Sequence, residues 1–120
     1  DCKSTRINKS ASIAPPLIDE GRFAINVLDI SQQQISEDCS GRKTGDDRFA
    51  DQDWASDHLD TPYLQSSQAT IFCRVASTWE YGTHLIVFGA VEGVRANDRP
   101  TPLIYLDRRY LDVSLNTTVP

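Results

Sequence analysis

Apolar and polar residues alternate most clearly in the second half of the chain. Ala69–Ser77 sets Ile71, Cys73 and Val75 against Phe72 and Arg74, the period-two pattern of a strand with one face in a core. Tyr81-Gly82-Thr83 is a turn signal, after which His84–Val94 returns as a long antiparallel strand. Asn97-Asp98 turns again, Leu103–Leu106 follows as a strand, and Tyr110–Val113 is expected to end the sheet. In the first half, Phe23–Leu28 (Phe-Ala-Ile-Asn-Val-Leu) has the length and apolar content of a buried strand.

The helical signals are short and lie early. Residues 4–8 read as the end of a strand, followed by the polar loop Asn8-Lys9-Ser10-Ala11-Ser12. Pro15 and Pro16 open a helix over about 15–20, because proline is tolerated in a first turn, and Gly21 stops it. Ser31 is the expected N-cap of a helix running to about Ser40 and closed by Gly41. Residues 41–61 read as a polar excursion with one short helix around Asp47–Asp51. A meander of strands with helices inserted early predicts an α+β, mainly β fold, either a barrel or a helix-capped sheet.

At 120 residues the chain has the size of one domain, which buries roughly two-thirds of its unfolded surface and needs no disulfide or structural metal. No apolar run approaches membrane-spanning length and no signal-peptide pattern is visible, so no membrane association is expected. Three cysteines, Cys2, Cys39 and Cys73, show no CxxC spacing. They read as reduced thiols of a cytoplasmic protein, with Cys73 in the core. The formal charge of -5 is concentrated between Glu37 and Asp60, where eight acids face three bases. That segment reads as a solvated face. A nucleic-acid surface needs a broad basic stripe, which is missing. One local phosphate site stays open near the N-terminus, where Lys3, Arg6 and Lys9 outnumber Asp1.

The sequence contains no GxSxG, HExxH, P-loop or GxGxxG pattern, and two histidines cannot build a three-histidine zinc site. No metal site is expected. His84 begins a strand directly after a glycine turn, where it either faces a cleft or bonds to backbone; His58 belongs to the acidic surface. Asn8–Ser12 offers an amide, an ammonium and two hydroxyls, groups that suit a phosphate or a ribityl chain and equally suit an ordinary polar loop. Arg108-Arg109-Tyr110 places a cationic fork beside an aromatic, fit to clamp a nucleotide or to edge a strand.

Taken together, these segments resemble the flavin reductase family, the NAD(P)H:flavin oxidoreductases that supply reduced flavin to two-component monooxygenases. The resemblance is carried by Asn-Lys-Ser-Ala-Ser at 8–12, the run from Pro16 to Leu28, and the glutamines at 32–34. Arg48-Phe49, Trp54, Pro62-Tyr63-Leu64, Gly82-Thr83-His84 with the strand to Val91, and Pro102-Leu-Ile-Tyr complete it. It runs from about Ile7 to Val113.

What the resemblance implies is an FMN-binding split β-barrel in a single domain over 1–120, working as a homodimer with flavin near the subunit interface. Asn8, Lys9, Ser10, Ala11 and Ser12 would hold the flavin's ribityl and phosphate groups, and Arg48 and Phe49 would lie close to it. His84 would line the nicotinamide site as the catalytic candidate, and Tyr105, Arg108, Arg109 and Tyr110 would flank the same pocket. The implied cofactor is FAD or FMN with NADH or NADPH as co-substrate. The implied partner is a flavin-dependent monooxygenase in the cytoplasm. Family members carry further strands before the segment matching Ile7, so the first barrel strands are expected to be missing here. The rival expectation is a non-catalytic split-barrel module that binds flavin or haem.

Overall fold

The computed structural model describes residues 2–42 and 53–112, with residues 41 and 42 described by backbone alone. In chain order these form β1 (Cys2–Asn8), α1 (Ala14–Glu20) and β2 (Arg22–Val27). A 3-10 turn (Ile30–Gln32) then runs into α2 (Gln33–Glu37) and a π turn (Asp38–Arg42). β3 (Trp54–Ser56), β4 (Pro62–Leu64), β5 (Ala69–Tyr81), β6 (His84–Ala96), β7 (Leu103–Leu106) and β8 (Arg109–Asp112) follow. The helix expected around Asp47–Asp51 lies outside the described residues.

The described residues fall into two compact units. One lies within Asp1–Ile25, Ser56–Pro62 and Ile71–Val94; the other lies within Asn26–Ala55, Tyr63–Thr70 and Arg95–Pro120. In the first, α1 starts on Pro15 and Pro16 and ends at Gly21, whose φ of 71° lets its N–H reach Leu17 O at 3.1 Å. β5 and β6 are joined by Gly82-Thr83, with Gly82 at φ 58° supplying the positive dihedral of a tight hairpin. β1 then pairs antiparallel with β6, from Cys2 opposite Ala90 to Asn8 opposite His84. Ala14, Leu17, Cys73 and Val87 are buried. The ring of Phe23 lies so near Gly89 that a Cβ there would stand 2.7 Å from Phe23 Cζ.

The four-stranded sheet runs β1-β6-β5-β2, which corrects the expected meander. β1 joins across a long sequence separation, and its polar, mostly exposed residues carry no signal of that pairing. β2 corrects the buried-strand expectation for Phe23–Leu28. It is half-buried along most of its length, and among the described residues it forms an edge of this sheet.

Among the described residues of the second unit, Leu64 is buried alongside the polar Gln32, Asp38, Ser67 and Thr70. Asn26 Oδ1 accepts from Leu64 N at 3.1 Å and from Thr70 Oγ1 at 3.3 Å, and Asn97 Nδ2 donates to Ser67 O at 2.9 Å. Such satisfied polar groups are the condition for burying them. β7 and β8 form a separate two-stranded ladder, which corrects the expectation that Tyr110–Val113 ends the main sheet. The two-residue connection Asp107-Arg108 sets β8 directly against β7.

The helix after β2 is capped by Asp29, not by Ser31. Asp29 Oδ2 accepts from Ser31 N at 2.9 Å while Gln32 Oε1 accepts from Asp29 N at 2.8 Å, a reciprocal capping box. Both residues are competent caps with a glutamine three positions on, Gln32 and Gln34, and the box closes at Asp29. β3 and β4 pair with each other inside the stretch read as an excursion. Strands of three residues are too short to show a period. Asp57 Oδ1 turns the chain between them by accepting from Leu59 N and Thr61 N, both at 2.9 Å.

Candidate functional site

In the first unit, the β1–β6 register sets Asn8 opposite His84. Lys9 N then donates to Thr83 O at 2.9 Å, which carries the loop across the start of β6. The loop closes on itself through Asn8 Oδ1, which accepts from Ser10 N at 2.9 Å and Ser10 Oγ at 2.7 Å, while Ala11 N reaches Asn8 O at 2.9 Å. Five of the expected cofactor residues (Asn8, Lys9, Ser10, Ala11 and Ser12) are thereby brought together with His84. Ser10's hydroxyl is already spent on shaping this turn. Lys9 Nζ sits 3.3 Å from Glu80 Oε2, with both side chains well exposed. A surface pair of this kind contributes little, so the ammonium is easily redirected to an anion.

His84 is half-buried, with Nδ1 3.2 Å from Thr83 Oγ1. That contact steers the ring and leaves Nε2 without a hydrogen-bond partner among the described residues.

In the second unit a cavity of about 550 Å³ opens between the helical segment and the β7–β8 hairpin. Gln33, Glu37 and Ser40 line one wall, at i, i+4 and i+7 spacing. Tyr105, Arg108, Arg109 and Tyr110 line the other. The tyrosines pair across the ladder with ring centroids 4.9 Å apart at 49°, a tilted aromatic contact. Tyr110 Oη lies 2.9 Å from Ser36 Oγ, tying the hairpin to α2. Arg108 and Arg109 are exposed and have neither an ion pair nor a hydrogen bond among the described residues.

Both walls are anchored at Asp29. Its Oδ1 accepts from Thr101 Oγ1 at 2.5 Å, Ile30 N donates to Thr101 O at 2.9 Å, and Leu103 N donates to Leu28 O at 2.8 Å. The Thr101 hydroxyl first, then the Ser31 amide and hydroxyl, hold the Asp29 carboxyl below its ordinary value.

The candidate residues thus form a basic and aromatic cavity in one unit and a polar loop beside a strand-end histidine in the other. Comparison with known proteins identifies the family. The family model for the flavin reductase like domain matches residues 4–114. The chain belongs to this flavin reductase family. It is 33% identical over 104 residues to an FMN reductase (NADH), RutF, of Pseudomonas syringae, covering 87% of this chain and 58% of that protein. It is 35% identical over 102 residues to HsaB, the reductase subunit of a flavin-dependent monooxygenase of Mycobacterium tuberculosis, covering 83% of this chain and 54% of that protein. The chain thus spans less than two-thirds of these flavin reductases.

Among solved structures, nitrilotriacetate monooxygenase component B from Mycobacterium thermoresistibile superposes with a TM-score of 0.85 at 28% identity, covering 99% of this chain and 68% of that one. The expected mainly β, split-barrel class with short inserted helices agrees with this flavin reductase fold.

The structure therefore gathers the expected site residues into two groups: Asn8–Ser12 with His84, and Tyr105 with Arg108, Arg109 and Tyr110. Arg48 and Phe49 lie outside the described residues. Gln33, Glu37 and Ser40 were not foreseen as cavity residues. Their helical spacing was the available signal, masked by polar side chains that read as solvated helix surface.

Proposed function

We propose that this protein is an NAD(P)H-dependent flavin reductase that uses FMN or FAD and passes reduced flavin to a flavin-dependent monooxygenase. The observation that carries the reading is the pairing of Asn8 with His84, which sets a loop of phosphate- and hydroxyl-binding groups beside a histidine with an uncommitted Nε2. The donor set fits a flavin. Lys9 supplies a positive charge for phosphate, and Asn8 Nδ2 and the Ser12 side chain supply hydrogen bonds for the ribityl chain. Bound flavin supplies the hydride acceptor for a nicotinamide C4. The chain's contribution is to hold the two rings in register and to orient the nicotinamide through His84, since the redox chemistry belongs to the cofactors.

The family match runs through both compact units, which supports one reductase domain. Arg48, Phe49, Tyr105, Arg108, Arg109 and Tyr110 complete the proposed cofactor contacts. Cysteines outside any disulfide at Cys2, Cys39 and Cys73 suit the cytoplasm, and among the described residues no helix is long and apolar enough to cross a membrane. Homodimerisation is supported by Trp79 and Tyr81, 69% and 78% exposed at the end of the β5–β6 hairpin; exposed aromatic surface of this kind marks interfaces.

Flavin is proposed to exchange with solution, because a reductase serving a separate oxygenase must release it. Flavin retained through dialysis and turnover would overturn that point. The residue-level test is His84→Ala. The reading expects a KM for NADH raised about tenfold with flavin affinity little changed. Equal loss of both, or of neither, removes His84 from the nicotinamide side. Flavin binding with no NADH or NADPH oxidation by the unaltered protein would favour a non-catalytic binding module.

A further inference from the structure

Glu80 lies two residues before Gly82, the turn glycine of the β5–β6 hairpin. Successive strand side chains point to opposite faces, so Glu80 leaves the strand on the side away from Trp79 and Tyr81. There its Oε2 stands 3.3 Å from Lys9 Nζ, across 71 residues of sequence. The backbone holds the two together from both sides. Gly82 at φ 58° shapes the hairpin tip, and the 2.9 Å bond from Lys9 N to Thr83 O fastens the loop to that tip.

Among the described residues, Glu80 is the acid paired with Lys9, and no other cation is paired with Glu80. Lys9 is also the one charged residue of the loop, because Asn8, Ser10, Ala11 and Ser12 are neutral. An anion entering the loop therefore draws on the same ammonium that Glu80 holds. With side chains 40% and 74% exposed, the pair is weak enough to open and still opposes a competitor. A phosphate monoester carries more charge than one carboxylate, so it can take the ammonium once the pair is broken.

We propose that Glu80 is a displaceable counter-ion of Lys9 that weakens the hold on phosphorylated flavin and so sets how readily flavin leaves. The inference rests on the reductase reading, in which Lys9 meets the flavin phosphate. Glu80 acts through Lys9 and is a positioning residue. As flavin departs, the pair closes again and the ammonium is never left unneutralised. Riboflavin has no phosphate, so its binding leaves the Lys9–Glu80 pair closed.

Equilibrium binding of FMN and of riboflavin, followed by flavin fluorescence, tests this role. Four proteins are compared: the unaltered one, Glu80→Gln, Lys9→Gln and the double variant. Glu80→Gln keeps the side chain's size at an exposed position, so Tm should hold within about 1 °C. It should bind FMN about threefold more tightly, the scale of an exposed ion pair, and release it about threefold more slowly in stopped flow. Riboflavin affinity should be unchanged, and the gain with FMN should shrink as salt is added. On the Lys9→Gln background, Glu80→Gln should give no gain.

FMN bound no more tightly by Glu80→Gln overturns the proposal, as does an equal gain with riboflavin or without Lys9. FMN-dependent NADH oxidation alongside an inert Glu80→Gln would defeat the proposal alone. No FMN binding by the unaltered protein would defeat proposal and reductase reading together. Absence of NAD(P)H oxidation alongside the expected FMN shift would defeat the reductase reading and leave the counter-ion role standing.

Discussion

Thr101 Oγ1 donates to Asp29 Oδ1 at 2.5 Å while Asp29 Oδ2 caps the helix through Ser31 N at 2.9 Å. One carboxylate therefore fixes the start of the helical wall and the entry to the hairpin wall of the same cavity. Asp29→Ala removes the cap and strands the Thr101 hydroxyl, at a combined cost of about 1–2 kcal/mol. Thermal denaturation should show Tm lower by about 4 °C or more. An unchanged Tm would mean that Gln32 and the backbone bonds hold this junction without the carboxylate.

The same carboxylate gives stability an acid limb. Its pKa is depressed below the ordinary 3.8 by the bonds from Thr101 and Ser31. A depressed folded value means that the stabilisation is present above the unfolded value and is lost as pH falls through the folded one. Unfolding in urea should therefore give a steeper loss of stability below about pH 4 in the unaltered protein than in Asp29→Asn. Asp57, likewise depressed chiefly by the Thr61 amide, contributes to both curves and cancels in their difference. Parallel curves would remove Asp29 from the acid limb.

Gly89 has no room for a side chain. A Cβ there would meet Phe23 Cζ at 2.7 Å and Cys73 Cβ at 2.9 Å. The phenyl ring can swing, but Cys73 Cβ is rooted in the neighbouring strand. Gly89→Ala should destabilise by about 1–3 kcal/mol, read as a lower urea midpoint with an unchanged slope. Wild-type stability in Gly89→Ala would show that the β5–β6 backbone shifts freely at this point.

Burial pushes the Cys73 thiol up and removes it from reagent, whereas Cys2 and Cys39 are exposed. A thiol-reactive chromophore should label two cysteines quickly and the third at the rate of unfolding. Three fast sites would contradict the buried position of Cys73.

The sequence was most readable where one local signal had one meaning. Pro15, Pro16 and Gly21 bound α1, and Gly82 with alternating residues on either side bounds the β5–β6 hairpin. It was least readable where partners lie far apart. Nothing in Cys2–Asn8 announces that β1 joins β6, yet that pairing is what sets Asn8 opposite His84. The loop and the histidine were each visible as candidates, while their adjacency came from the register and was suggested beforehand only by family resemblance. In the cavity, Arg108-Arg109-Tyr110 stood out as a cationic fork. Its facing wall, Gln33, Glu37 and Ser40, looked like any solvated helix face. Asp29 went unnoticed as an anchor because Ser31 is an equally good cap on composition alone.

The central claim is tested most directly by NADH and NADPH oxidation with the purified protein, with no flavin, FMN or FAD added. The account predicts oxidation that depends on added flavin, saturates with it, and slows when His84 is replaced. No oxidation of either nucleotide with either flavin would contradict it.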